Sequence, residues 1–157
     1  PASKDIFVAG AWAVLVALPP WLVTEPAPPV TSLFAVAGLV FLLVFAKTVA
    51  LDLRDTEGDR LIGGETLPVL IGQRRTLTLL YVVHGLILVG LIAVTLAGLL
   101  APLGWFLLLL PLYGIGYLRL FRRGLLREET RCQLVVDGQF LLAGLLTWLY
   151  ALSHTPA

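Results

Sequence analysis

The sequence predicts an all-α, polytopic transmembrane bundle of five spans, and three observations predict it. Of the 157 residues, 59% are hydrophobic and only 13% are charged, against about 25% charged in soluble domains. Five apolar stretches, residues 6–23, 30–51, 77–100, 101–118 and 134–152, approach the ~20 residues that cross the hydrocarbon core of a bilayer. All eleven basic residues fall in segments that such a chain presents to one side of the membrane. The net charge of +1 says little beside that distribution, and no nucleic-acid partner is implied.

The elements follow in order. Lys4 precedes the first stretch, which carries Pro19-Pro20 near its end and no small-x-small cleavage site; it therefore reads as a span and not a signal peptide. Residues 24–29 hold no base. Lys47, Arg54, Arg60, Arg74 and Arg75 cluster at or after the end of the second stretch. The third and fourth stretches meet at a base-free break near Leu100, and Gly114 and Gly116 are expected to loosen the fourth. Residues 119–133 interleave Arg119, Arg122, Arg123, Arg127 and Arg131 with Leu and Phe, a pattern suited to an interfacial helix at the headgroups. The positive-inside rule then makes the N-terminus and both long connections cytoplasmic and the C-terminus external. Short turns require neighbouring spans to be antiparallel, and the many glycines suit close helix packing. The single cysteine, Cys132, cannot form an intrachain disulfide. The chain begins at Pro1 and contains no Met, so residues 1–157 are expected to be a single transmembrane domain that is part of a larger one.

Residues 52–76 are expected to be a cytoplasmic, aspartate-rich loop. Asp52, Asp55 and Asp59 follow at spacings of three and four, which on a helix at about 100° per residue places them within roughly 60° of one another. They also lie at the negative pole of the preceding span, where each pair about 6 Å apart repels by roughly 3 kcal/mol at an effective dielectric near 20. A bound Mg2+ (or Mn2+) relieves that repulsion. Mg2+ takes one or two protein carboxylates and fills its shell with water and phosphate oxygens. A membrane-edge site of this kind implies a phosphate-bearing lipid substrate, with Lys47, Arg54 and Arg60 as diphosphate-binding candidates. A diphosphate bridged by the ion and contacted by these bases becomes a good leaving group. Glu57 points about 140° away from Asp52 and stays outside the set.

Asp52-Leu53-Arg54-Asp55-Thr56-Glu57-Gly58-Asp59-Arg60, followed by Thr66-Leu67-Pro68-Val69 and Gly72, resembles the second aspartate-rich motif of the UbiA-type membrane prenyltransferases. The stretch from Lys4 to Trp12 is similar to the start of that family's fifth helix. The resemblance implies helices five to nine of a nine-helix bundle whose cavity opens to the cytoplasm and to lipid. It also implies two facing aspartate motifs that hold Mg2+ and bind a polyprenyl diphosphate, with an aromatic or other prenyl acceptor, as in quinone or other prenyl-lipid biosynthesis. Two departures stand out. The family's Arg-Glu pair before the motif is Lys47-Thr48 here, and the Lys before its first Asp is Leu51. The first aspartate-rich motif is nowhere in the chain, so the expectation is that an N-terminal half carrying it was not included and that this piece alone is inactive.

Further cavity candidates are Trp12, His84, Tyr113, Tyr117 and Asp137, with Gln139 beside them. Asp137 is expected to pair with Arg131 or to line the cavity, and His84 to be a hydrogen-bonded structural residue or a proton acceptor. Trp21, Trp105 and Trp148 suit interfacial anchoring. No catalytic base is assigned. Two other classes fit the sequence less well. A CDP-alcohol phosphotransferase needs Gly after its second Asp and further acids downstream, which this sequence lacks. A cation-binding transporter or assembly subunit needs ionisable groups deep in the bundle, where only His84 and Asp137 qualify.

Overall fold

The computed structural model describes residues 3–100, 102–126 and 128–154. Pro1, Ala101 (the expected start of the fourth span) and the base Arg127 lie outside them. Seven helices follow in order: α1 (Ser3–Val23), α2 (Val30–Leu61), α3 (Leu67–Ile71), α4 (Gln73–Leu96), α5 (Leu103–Leu107), α6 (Leu109–Arg122) and α7 (Glu129–His154). No strand occurs among the described residues. α1, α2, α4, α5 with α6, and α7 are long and apolar enough to cross a membrane, so the expected five-span, all-α bundle is present.

The surface is that of a protein solvated by lipid. Phe7, Phe34 and Leu141 are each more than 70% exposed, a display that water would penalise heavily. Inside, small residues let backbones approach. Asp5, Ala9, Ala13 and Ala17 form one i, i+4 row of α1 buried in the bundle, where α1 packs chiefly on α2. The core continues through Ala46, Val49 and Ala50 of α2, Leu80, Val83, Ile87 and Leu91 of α4, and Leu110 and Tyr117 of α6.

Three details differ from expectation. First, α2 does not end with its apolar stretch. Its 32 residues span about 48 Å at 1.5 Å each, well beyond a ~30 Å core, so the turns from Asp52 to Leu61 project as helix. The expected loop over 52–76 is therefore irregular only between α2 and α3 and at Gly72. The helix stops at Gly63, whose φ of 73° favours glycine. There the Gly64 N–H donates to Asp59 O at 2.7 Å and the Gly63 N–H to Arg60 O, the paired bonds of a Schellman ending. Second, the fourth span is broken at Leu108. Pro111 lacks an N–H, and its ring crowds the carbonyl four residues back, so the break falls there and not at Gly114 or Gly116. Third, no separate interfacial helix occupies 119–133 among the described residues. α6 runs to Arg122, closes through Gly124 with the same paired bonds (Leu125 N–H to Leu120 O, Gly124 N–H to Phe121 O), and α7 starts at Glu129.

Candidate functional site

Val36, Val40, Val44, Thr48 and Asp52 form one i, i+4 row on α2, each side chain stacked one turn from the next. The first four line a cavity of about 640 Å3 whose walls include Val8, Trp12 and Val16 of α1 and Phe140 of α7. Its lining is apolar except near Lys47, Thr48 and Thr147. Asp52 stands one turn beyond Thr48, and Asp59 two turns further along the helix. On α1 the row Val16, Trp12 and Val8 leads at the same spacing to Lys4, with Asp5 beside it at the head of the neighbouring alanine row. Two helices thus carry a carboxylate just past the rim of one apolar cavity.

Around these acids the hydrogen bonding is incomplete. The Lys4 ammonium donates to Asp52 Oδ1 at 2.9 Å. Asp52 Oδ2, Asp59 Oδ2 and both oxygens of Asp5 are buried without a hydrogen-bond partner. Carboxylate oxygens removed from water and left unpaired are costly. They are also hard donors of the type that Mg2+ and Mn2+ take, so the residues present fit such an ion. Among the described residues, no three His, Cys, Asp or Glu side chains converge closely enough to hold one ion between them. One or two carboxylates, completed by water and phosphate oxygens, is the arrangement they can offer.

The third aspartate of the motif is placed differently. Asp55 is about half exposed and is held by its neighbour Arg54, whose Nε donates to Asp55 Oδ1 at 2.6 Å and whose second guanidinium nitrogen donates to Oδ2. Asp5 and Asp59 therefore lie within electrostatic reach of Asp52 without converging on one point, while Asp55 is held in a separate ion pair with Arg54.

The candidate bases also divide. Arg54 lies about 200° around the helix from Asp52 and lines a second cavity of about 590 Å3 with Gln73, Arg122 and Arg123; its guanidinium is also 3.8 Å from Glu129. Arg60 is exposed. Lys47 alone reaches the apolar cavity. Its ammonium is 2.6 Å from Asp137 Oδ1 and 5.4 Å from the centre of the Phe140 ring. Asp137 thus takes Lys47 as its partner and not Arg131, which pairs with Glu128 at 2.7 Å. Proximity explains the choice: α2 packs on α7, while Arg131 is exposed on the first turns of α7.

Of the cavity candidates, Trp12 lines the apolar cavity, whereas His84, Tyr113 and Tyr117 line neither cavity. His84 is fully buried, donating from Nδ1 to Leu80 O at 2.8 Å and accepting from the Tyr117 hydroxyl at 3.4 Å. The Tyr113 hydroxyl donates to Val135 O at 2.7 Å, and Gln139 Nε2 to Leu110 O at 2.9 Å. These bonds tie α4, α6 and α7 together. Sequence reasoning missed Asp5, Lys4 and Thr48. The available signal was positional: Asp5 continues the alanine row of α1, and Thr48 sits one turn before Asp52.

A relative from Natronomonas pharaonis, named digeranylgeranylglyceryl phosphate synthase, is 38% identical over 76 residues, covering 48% of this chain and 25% of that protein. The match thus spans about a quarter of that relative's length. No solved structure matches. The model of the UbiA prenyltransferase family matches residues 4–144, a stretch that contains Asp5, Asp52, Asp59 and almost the whole cavity wall. The chain belongs to the UbiA prenyltransferase family.

Proposed function

We propose that this chain supplies part of the active site of a Mg2+- or Mn2+-dependent prenyltransferase, which moves a polyprenyl group from its diphosphate to an acceptor. The observation that carries the reading is the continuous row from Val36 to Asp52: apolar cavity wall, then a hydroxyl, then a carboxylate with one oxygen on Lys4 and the other buried without a partner. An amphiphile with a hydrocarbon tail and a diphosphate head matches that sequence of surfaces end to end. The tail would lie along Trp12, Val40 and Val44. The head would lie beyond Thr48, where Asp52 and Asp59 hold the ion. When bound, the ion neutralises charge developing on the departing diphosphate.

Lys47 would contact the diphosphate at the rim, kept in place by Asp137 and Phe140, with Arg60 beyond it; Asp55 and Arg54 would brace the outer side of the helix. The apolar walls exclude water from the electron-poor allylic carbon, so the acceptor and not water captures it. A facing segment with a second aspartate cluster would complete the ion-binding set. The one-sided bases favour a cytoplasmic position for this end of the bundle, with the C-terminus outside.

For the acceptor, the name of the relative, digeranylgeranylglyceryl phosphate synthase, favours a glyceryl phosphate over an aromatic ring. A cation transporter or assembly subunit is disfavoured, because Asp137 is ion-paired and His84 is packed away from both cavities.

The test is pyrophosphate release by membranes containing the full-length gene product. Release from a polyprenyl diphosphate that stops with EDTA and returns with Mg2+ is the expected result. No release with any prenyl length, with either acceptor class present, would overturn the proposal.

A further inference from the structure

Asp5 has no place in the chemistry above, yet among the described residues it is the one carboxylate with both oxygens buried and unpartnered. It occupies the first turn of α1, at the head of the row that continues with Ala9, Ala13 and Ala17. Burial suits those alanines and is costly for a carboxylate. Asp5 is nevertheless 1% exposed, and neither of its oxygens has a well-formed hydrogen bond, the Thr48 hydroxyl being the side-chain donor close to it. An acid in the first turn of a helix does favour the positive pole, but an exposed acid would serve that purpose without desolvation.

Both donors near Asp5 have a better-placed acceptor elsewhere. The Thr48 hydroxyl donates to Phe45 O at 3.0 Å, and the Lys4 ammonium, half exposed, donates to Asp52 Oδ1. Asp5, Asp52 and Asp59 together expose four buried, unpartnered oxygens to one another's field. Asp5 and Asp52, once ionised and freed of Lys4, carry two negative charges between them, the charge that a divalent cation balances.

We infer that Asp5 on α1 and Asp52 on α2 form an interhelical carboxylate pair that takes a hard divalent cation, with Lys4 as a tethered competitor that the ion displaces from Asp52. The inference rests on the reading of the Asp52–Asp59 face as an ion site and adds a second helix and a built-in rival to it. A pair of carboxylates is compatible with the absence of any three-ligand group among the described residues, since Mg2+ and Mn2+ keep water and phosphate oxygens in the remaining positions. Because Val8, Trp12 and Val16 of α1 wall the apolar cavity, an ion shared with Asp52 would fasten that wall to α2 at the cavity's mouth. Ion loading would then order the place where the prenyl chain enters.

The experiment is a Mn2+ titration of the full-length gene product in nanodiscs without substrate, followed by the loss of the free-ion paramagnetic signal and by thermal melting. Asp5→Asn should weaken Mn2+ binding at least ~10-fold, on the scale of lost metal-site contacts. It should leave the ion-free melting temperature unchanged or raised and should remove the melting shift that Mn2+ causes. Lys4→Gln should tighten Mn2+ binding, because the ion no longer competes with the ammonium. A purely structural Asp5 gives the opposite pattern, a lowered ion-free melting temperature with Mn2+ affinity intact, and that result overturns the inference. If Asp52→Asn weakens binding but Asp5→Asn does not, the ion site stands and the Asp5 assignment fails. If the unmodified protein binds no Mn2+, the ion reading and the inference fall together.

Discussion

Replacing Asp52 and Asp59 together by asparagine is expected to lower Mg2+-dependent pyrophosphate release by at least ~1000-fold in a protein that still folds. Removing a single preorganised group that stabilises developing charge typically costs about 100- to 1000-fold, and here two ion-holding groups go at once. Folding should survive because both carboxylates carry a buried, unpaired oxygen, and an amide of the same shape is cheaper to bury than an uncompensated charge. Asp55→Asn is the internal contrast. Its side chain is about half exposed and tied to Arg54, so its loss should cost less than about tenfold, through a looser helix end and not a lost ion contact. Pyrophosphate release per folded molecule checks both. Equal losses from Asp55→Asn and the double variant would show that all three aspartates act on one ion.

Gly114→Val is expected to destabilise the bundle by about 3 kcal/mol, the upper end of overpacking costs. A Cβ built on Gly114 lies 1.9 Å from two atoms of the His84 imidazole, far inside any tolerable contact. The ring cannot swing away freely, because Leu80 O and the Tyr117 hydroxyl hold its two nitrogens and no part of it reaches the surface. α4 and α6 must therefore move apart. A second change, His84→Ala, should recover part of the loss by opening space, though it leaves the Tyr117 hydroxyl without its partner. Chemical unfolding in detergent reads both values. A Gly114→Val protein as stable as the parent would mean that α4 and α6 do not meet at this ring.

Much of this was legible in the sequence, and the parts that were not have physical reasons. Apolar length and one-sided bases are properties of the chain itself, so the five spans could be read without a structure. The Asp52 and Asp59 spacing was legible for the same reason, because it depends only on the helix period. The direction of Arg54 follows from that period too, but only once α2 is known to remain helical to Leu61, and the dense charges there resembled a loop. Pro111 carried the signal for the break at Leu108, which the more permissive glycines nearby obscured. The Lys47–Asp137 pair depends on α2 meeting α7, a tertiary contact that no local pattern encodes. Asp5 was hidden for a different reason: one acid before an apolar run looks like a helix start, and only the packing of α1 on α2 shows that it is buried.

The central claim is that one amphiphile lies with its tail in the apolar cavity and its diphosphate at Asp52 and Asp59. A polyprenyl diphosphate bearing a photoreactive diazirine at its tail tests this most directly, with the full-length gene product in nanodiscs and mass-spectrometric location of the adducts. The account predicts Mg2+-dependent labelling of Trp12, Val40 and Leu103, which is lost in the Asp52→Asn, Asp59→Asn variant. Labelling confined to the lipid-facing side chains Phe7, Phe34 and Leu141, and indifferent to Mg2+, would contradict it.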